Sequence, residues 1–253
     1  DWFQESEIEA SNWNDYYEDI TSINNPSDKV DDLPTDAQVL GEVKRNGEAS
    51  DIVVCAAGSL PGELHKLWRT EQIGGYHSEY GFSCMGYEIA GGLGVKMAQP
   101  DREVIVLVGD GSYLMLNSEL ATSVMLGQKI IAVVLDNRGF SCINRLQNAT
   151  GNRSFNNLLK DCNSADDGHP EINFALHAKS LGADSEHVED ITELAAALKR
   201  ARASSKSYVI SIVTDSHKIS PEGGCWWEVA VPQVSSNEKG DEVLSAYKKS
   251  KTN

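Results

Sequence analysis

The segment from Val104 to Phe140 constrains the fold more than any other part of the chain. Val104 to Val108 is an unbroken apolar run, which is typical of a strand buried on both faces. A Gly-Asp-Gly turn follows, and the segment that opens at Ser112 has apolar residues at helical spacing up to Gly127. A second apolar run, Ile130 to Leu135, comes next. The order strand, helix, strand predicts two parallel strands joined by a right-handed crossover. The apolar stripe of the predicted helix consists of Leu116, Leu120 and Val124.

Polar residues follow both of these strands at the point where each strand ends. Asp110 comes just after the first strand, and Asn137 just after the second. If the strands are neighbours, about 5 Å apart, a carboxylate and an amide oxygen meet at the edge of the sheet where open α/β folds bind ligands. The helix that starts at Ser112 favours an anion at its amino end. This combination predicts a Mg²⁺ ion that carries a diphosphate, because Mg²⁺ takes few protein ligands and completes its shell with phosphate and water.

Each half of this pattern also has a simpler interpretation. Asp110-Gly111 between two apolar runs is a strong hairpin signal, although the helical spacing that follows argues against a second hairpin strand. The sequence Asn137-Arg138-Gly139, taken alone, is most often a loop turn. The metal-site interpretation depends on finding both at the ends of consecutive strands.

Composition and charge exclude several classes of function. Acidic residues outnumber basic ones by 38 to 22, which gives a net charge of −16, and no dense Lys/Arg stripe is present. Nucleic acid and anionic membrane are therefore poor partners. No apolar run approaches about 20 residues, so we expect no segment that spans a bilayer. With 253 residues, the chain has room for one large α/β domain or two small ones.

The cysteines bear on the cellular compartment. Their number is five, which is odd, and no two are spaced as a CxxC pair. This pattern favours free or buried thiols in a reducing cytoplasm over a disulfide framework or a zinc site. No signal peptide is evident and the first residue is Asp1, so we expect a processed chain or a fragment of a longer one. The cysteines are Cys55, Cys84, Cys142, Cys162 and Cys225.

The remaining sequence predicts one α/β domain with a doubly wound, mostly parallel sheet and helices on both faces. Residues 1–33 are acidic and aromatic and are interpreted as an entry segment or interdomain linker, and residues 34–253 as the domain. We expect a short strand that ends near Cys84 and a loop-rich stretch over residues 141–168. Further strands are predicted at 52–57, 183–188 and 208–213, and helices at 35–47, 60–68, 86–97, 172–181 and 191–203.

The GDG turn, followed one helix and one strand later by Asn, resembles the signature of the thiamin diphosphate-dependent enzymes. The resemblance implies that Mg²⁺ is held by the side chains of Asp110 and Asn137 and by the backbone oxygen of Gly139. It also implies that Gly111 and Ser112 contact the diphosphate.

Two other segments resemble this family. Gly58, Ser59 and Leu60 would line the diphosphate site, although a tight turn is the simpler interpretation. Met85, otherwise a core residue, would wedge beneath the cofactor and bend it. The backbone carbonyl of Ser83 would accept a hydrogen bond from the aminopyrimidine, but the family usually has glycine there.

The resemblance also implies an activity. Thiamin diphosphate supplies carbanion chemistry, while the protein supplies orientation and electrostatics. In the family a glutamate from a separate pyrimidine-binding domain, usually of another subunit, activates the cofactor. No such domain is evident here, so we expect a homo-oligomeric assembly in which this chain is inactive alone.

Longer stretches, such as CAAGSLPGELHKLWR and GDGSYLMLNSEL, resemble the branch of the family that hydrolyses a C–C bond of a small cyclic 1,2-diketone in inositol catabolism. The alternatives are an acetolactate synthase-like carboligase or 2-oxo-acid decarboxylase, and a non-catalytic subunit that keeps the fold. His77 and Glu79 are weak candidates for facing the substrate, and both are equally compatible with surface positions.

Overall fold

The computed structural model describes residues 15–19, 33–79, 81–161, 171–220, 231–234, 236 and 238–251. Its strands are β1 (Ile52–Cys55), β2 (Tyr76–Ser78), β3 (Val104–Gly109), β4 (Ile131–Asp136), β5 (Asp184–Val188) and β6 (Tyr208–Val213). Its helices are α1 (Asp36–Arg45), α2 (Leu60–Leu67), α3 (Tyr87–Ala98), α4 (Asp110–Met115), α5 (Ser118–Met125), α6 (Ser141–Ala149), α7 (Phe174–Ser180), α8 (Ile191–Ala203) and α9 (Glu238–Ser250).

The six strands form one sheet in the order β2-β1-β3-β4-β6-β5, and all five pairings are parallel. From β1 the chain moves to one side of the sheet for β2 and to the other side for β3. This reversal creates a switch point between β1 and β3, at whose carboxyl ends open α/β sheets bind ligands. The predicted fold class, a doubly wound parallel sheet, is confirmed.

The central strands have apolar side chains on both faces, so each face supports its own core. On one face, Val53, Leu107 and Val133 pack with residues of α1, α2 and α8. On the other face, Val54, Val106 and their neighbours pack with residues of α3, α4, α5 and α7. The continuous apolar runs of the sequence are explained by this burial on both sides.

The loop before α1 shows why the helix starts there. Thr35 is the N-cap, its hydroxyl accepts from the amide of Gln38, and the Gln38 side chain accepts from the amide of Thr35. Residues 15–19 are helical, and Tyr16 and Tyr17 pack against Ala37 and Leu67. The rest of the predicted entry segment lies outside the described residues, so its boundary at residue 33 stays a prediction.

Three local predictions were wrong. The helix predicted from Ser112 to Gly127 is two helices, α4 and α5, because the backbone of Leu116 is not helical. The Leu116 side chain is exposed rather than on the buried stripe. The strand predicted to end near Cys84 is β2, which ends at Ser78 and is followed by a loop. Residues 141–149 form α6 instead of a loop. Among the described residues, no helix has the length and hydropathy required to cross a bilayer.

Candidate functional site

Asp110 and Asn137 lie at the same edge of the sheet. Gly109, the last residue of β3, is in register with Leu135 of β4. Asp110 therefore begins α4 beside the end of β4, where Asn137 follows Asp136. Both side chains are buried, with 5% and 8% of their surface exposed. The hairpin interpretation of Asp110-Gly111 is wrong, because β3 and β4 are parallel.

The Asp110 carboxylate is held by the loop after β4. Its Oδ2 accepts a hydrogen bond of 2.8 Å from the amide of Gly139. Burial and then the nearby charge of Asp136 raise the pKa of Asp110 to about 7. Asp136 itself accepts from the amide of Arg138 and pairs with the Arg138 guanidinium at 3.4 Å. A cation at Asp110 would offset the cost of its buried charge.

The side-chain oxygen of Asn137 is the observation that points most directly to a bound cation. Oδ1 is buried and has no hydrogen-bond partner within the described residues. A buried carbonyl oxygen without a partner costs free energy unless a ligand or water satisfies it. Together with Asp110, it provides the carboxylate and amide oxygens that Mg²⁺ takes from a protein. The residues present fit a metal–diphosphate.

Backbone geometry explains two glycines of the site. Gly139 has φ 135°, and a Cβ there would lie 2.4 Å from the carbonyl oxygen of Asn157. At Gly111 a Cβ would lie 2.6 Å from the ring of Phe140. A larger residue at Gly111 would press on the loop that carries Asn137, and one at Gly139 would displace the backbone of Asn157 and Leu158.

Ser112 is at the predicted site, but its hydroxyl is already engaged. Oγ donates to Glu88 Oε2 at 2.7 Å and accepts from the amide of Gly86 at 2.8 Å. A diphosphate contact from Ser112 would therefore come from its backbone amide. The contact of Gly111 and Ser112 with the diphosphate stays a prediction, and for Ser112 it now involves only the backbone amide.

The loop after β1 lies at the switch point. Gly58 has φ 86°, and no atom lies within 4 Å of where its Cβ would be, so the backbone faces open space. The Ser59 hydroxyl donates to Asp36 Oδ2 at 2.7 Å, and the Leu60 side chain belongs to the core. Of the three predicted residues, only Gly58 has space beside it for a ligand, because the side chains of Ser59 and Leu60 already have partners.

Ser83 and Met85 lie in the loop before α3. Ser83 has φ 51°, a left-handed conformation that glycine adopts more easily. Ser83 thus replaces the family's glycine at a position where glycine would fit the backbone better. Met85 is half-buried rather than part of either core. Their proposed contacts with the cofactor stay predictions.

His77 and Glu79 are placed differently from each other. The Glu79 carboxylate accepts from the amides of Phe82 and Cys84, at 3.1 Å and 2.6 Å, and these bonds lower its pKa. It therefore holds the loop that precedes α3. His77 is exposed on the edge strand β2 and lines an open groove of about 500 Å³ together with Tyr87. Within the described residues, neither side chain hydrogen-bonds to Asp110 or Asn137.

The sequence interpretation missed Glu88 and Asp36, which are both buried at this edge. Glu88 is a single acid among small and apolar residues of α3, and that contrast was the available signal. Asp36 is in the first turn of α1, where an acid is ordinary, so nothing in the sequence marked it. In the described part of the chain, no three His, Cys, Asp or Glu side chains group together as a metal site. The predicted Mg²⁺ ligands include only one carboxylate.

Residues 56–212 match the family described as thiamine pyrophosphate enzyme, C-terminal TPP binding domain. The chain belongs to the thiamin diphosphate-dependent enzymes. It is 41% identical over 217 residues to the 3D-(3,5/4)-trihydroxycyclohexane-1,2-dione hydrolase of Bacillus licheniformis, covering 86% of this chain and 33% of that protein. The protein of the same name from Geobacillus thermodenitrificans is 41% identical over 223 residues, covering 87% and 34%.

A solved structure shows the same fold. The thiamine diphosphate-dependent 4-hydroxybenzoylformate decarboxylase of Rhodococcus jostii RHA1 matches with a TM-score of 0.65 at 20% identity, covering 75% of this chain and 34% of that one. The chain thus spans about a third of the length of the curated relatives that it matches.

Proposed function

We propose that this chain is the diphosphate- and Mg²⁺-binding domain of a thiamin diphosphate-dependent enzyme that hydrolyses a C–C bond of a cyclic 1,2-diketone. The unpartnered, buried Oδ1 of Asn137, beside Asp110 at the ends of adjacent strands, carries the metal–diphosphate part. The names of the similar proteins support trihydroxycyclohexanedione as the substrate. The family resemblance implies 5-deoxyglucuronate as the product.

Each residue then has a defined task. Asp110, Asn137 and the backbone oxygen of Gly139 hold Mg²⁺, and the open backbone at Gly58 lets a phosphate approach closely. Met85 supports the cofactor from the loop before α3. When bound, thiamin diphosphate supplies the electron sink for C–C cleavage. The chain's own contribution is to bind and orient that cofactor.

A second domain completes this proposal. Large apolar side chains are exposed around the carboxyl edge: Phe82 is 90% exposed, and Phe155 is 70% exposed. Exposed apolar surface of this kind marks a place where another protein surface packs. We assign it to a pyrimidine-binding domain of the same or another subunit, in a homo-oligomer that works in the cytoplasm. The other exposed members are Leu114, Met115, Leu116, Phe140 and Ile143.

Titration with Mg²⁺ and thiamin diphosphate tests the site. We expect saturable, Mg²⁺-dependent binding by calorimetry. Removing a direct metal ligand should weaken cofactor binding at least as much as removing a residue that only supports a ligand. We therefore expect Asn137→Ala and Asp110→Ala to weaken the affinity for Mg²⁺–thiamin diphosphate by about 10–100-fold or more. Asp101→Ala, which changes an exposed acid before the amino end of β3, is the matched control and should bind normally. Equal affinity of Asn137→Ala and the unaltered chain would remove the metal assignment.

A further inference from the structure

One buried carboxylate connects three loops of the proposed cofactor site. Glu88 lies in the first turn of α3 and is 1% exposed. Its Oε1 accepts from the amide of Ala57 at 3.2 Å. Its Oε2 accepts from the amide of Gly86 at 3.1 Å and from the hydroxyl of Ser112 at 2.7 Å. No other side chain described here bridges all three loops.

Packing alone does not explain an acid at this position. The next core residue of α3, Ile89, is apolar, and a buried carboxylate is costly to desolvate. The ion pairs of the described residues do not include Glu88, so its charge is offset by its hydrogen-bond donors. Burial is the largest influence on Glu88 and raises its pKa, while the Ser112 hydroxyl and the backbone amides lower it.

We propose that Glu88 is a positioning residue that sets the relative placement of the three loops that hold the diphosphate. The proposal rests on the function proposed above. Each donor to Glu88 is itself a predicted cofactor contact or adjoins one. Ala57 precedes Gly58, Gly86 follows Met85, and Ser112 follows Gly111.

The three loops come from separate parts of the chain. Ala57 follows β1, Gly86 precedes α3, and Ser112 is in α4 after β3. Gly86 also donates to Ser112 Oγ, so the second and third loops are joined directly as well. If the Glu88 carboxylate moved, all three loops would lose their alignment together. Residues that hold the direct ligands in place typically affect affinity even though they do not contact the ligand themselves.

Glu88→Gln is the primary test. Glutamine has the same size but one acceptor oxygen instead of two, so it can keep the bonds from Gly86 and Ser112 while its amide group opposes the N–H of Ala57. We expect affinity for Mg²⁺–thiamin diphosphate to fall by about 10–100-fold. The melting temperature should change little, because the removal of a buried charge offsets the cost of the unpaired Ala57 N–H. A purely structural role would not separate affinity from stability in this way.

Glu42→Gln is the matched control. Glu42 is also a buried acid, but it lies in α1 and pairs with Arg45 and Asn46. We expect this variant to lose stability without losing cofactor affinity. Ser112→Ala is the milder second variant. Combined with Glu88→Gln, it should weaken affinity less than the product of the two separate effects, because both act through one hydrogen bond.

Amide chemical shifts give a readout that needs no cofactor. In ¹⁵N-labelled protein, the Ala57 resonance should move in Glu88→Gln and stay in place in Glu42→Gln. Wild-type affinity in Glu88→Gln, or an affinity loss matched by a lower melting temperature, would overturn the proposal. If the unaltered chain bound no cofactor, the proposed function would fall and this inference with it. If the unaltered chain and Glu88→Gln bound equally, only the inference would fall.

Discussion

Two buried acids, Glu88 and Asp36, accept hydrogen bonds from segments at the carboxyl edge of the sheet. Asp36 resembles Glu88 in being buried and in binding a hydroxyl of a cofactor loop, here that of Ser59. Its other oxygen, Oδ1, makes no regular hydrogen bond within the described residues, but the nearby Thr214 hydroxyl interacts with the carboxylate and lowers its pKa. Burial is the main reason that the pKa of Asp36 is raised.

Asp36→Asn is predicted to stabilise the protein increasingly as pH rises. With a raised folded-state pKa, the folded chain holds this proton more tightly than the unfolded chain does. The unfolding free energy of the wild type therefore falls as pH rises from about 4, the ordinary value, to the folded-state pKa. The asparagine does not titrate, and its amide can donate to Thr214. The difference should reach about 1.4 kcal/mol per unit of raised pKa.

Urea unfolding of both proteins between about pH 4 and 8 measures this difference. The exposed Asp101→Asn variant is the control and should track the wild type. Parallel pH profiles for Asp36→Asn and the wild type would contradict the prediction.

At the scale of elements, α3 is held very close to the sheet. A Cβ at Gly92 would lie 2.3 Å from Cγ2 of Val106 in β3. Val106 is fully buried in an inner strand, and its branched side chain has little freedom to move. Gly92 thus allows α3 to pack this closely against the sheet. This close approach places the amino end of α3, with Glu88, over the site.

Two alanine substitutions in α3 should have opposite effects. Gly92→Ala forces the helix away from Val106, and we expect a loss of about 1–3 kcal/mol in unfolding free energy. Gly94→Ala meets no atom within 4 Å, so the better helix propensity of alanine should add up to about 1 kcal/mol. Chemical denaturation of both variants gives the comparison. If both substitutions changed the unfolding free energy in the same direction, helix propensity rather than packing distance would control the stability of α3.

At the scale of the whole molecule, the described residues form one sheet with one ligand edge, and that edge is bordered by exposed apolar side chains. The described residues thus provide only one of the two domains that the proposed reaction requires. The chain also covers only a third of its relatives' length. Its activity should therefore depend on a second polypeptide region.

The chain alone is predicted to show no turnover of the cyclic diketone. Adding the remaining part of a similar protein, such as the Bacillus licheniformis hydrolase, should restore product formation, because that part would supply the pyrimidine-binding domain. The same mixture with Asp110→Ala is the control and should stay inactive. Assaying pyruvate in parallel separates hydrolysis from carboligation or decarboxylation. Product formed by the isolated chain would contradict this prediction.

Local signals predicted most of the fold and the placement of Asp110 and Asn137 at one edge of the sheet. Apolar runs interrupted by glycine and acidic residues placed β3, β4 and β6 within a residue of their observed bounds. The position of Asp110 and Asn137 at the ends of consecutive strands followed from chain order alone. These features depend on neighbouring residues and on the geometry of a parallel βαβ unit, so the sequence was sufficient.

Contacts between distant residues decided the rest. The polar segment 141–149 is helical and makes contacts outside the helix: Asn144 donates to Ser154, and Arg145 donates to the backbone of Ser216. A local sequence pattern does not reveal such distant partners. The engagement of Ser112 by Glu88 likewise joins residues on different elements. The sequence by itself determined which strand ends carry the oxygens that we propose as metal ligands, because the strands of a βαβ unit run parallel. Only the tertiary structure decided which polar groups remain free to bind a ligand, because that depends on which groups folding has already paired.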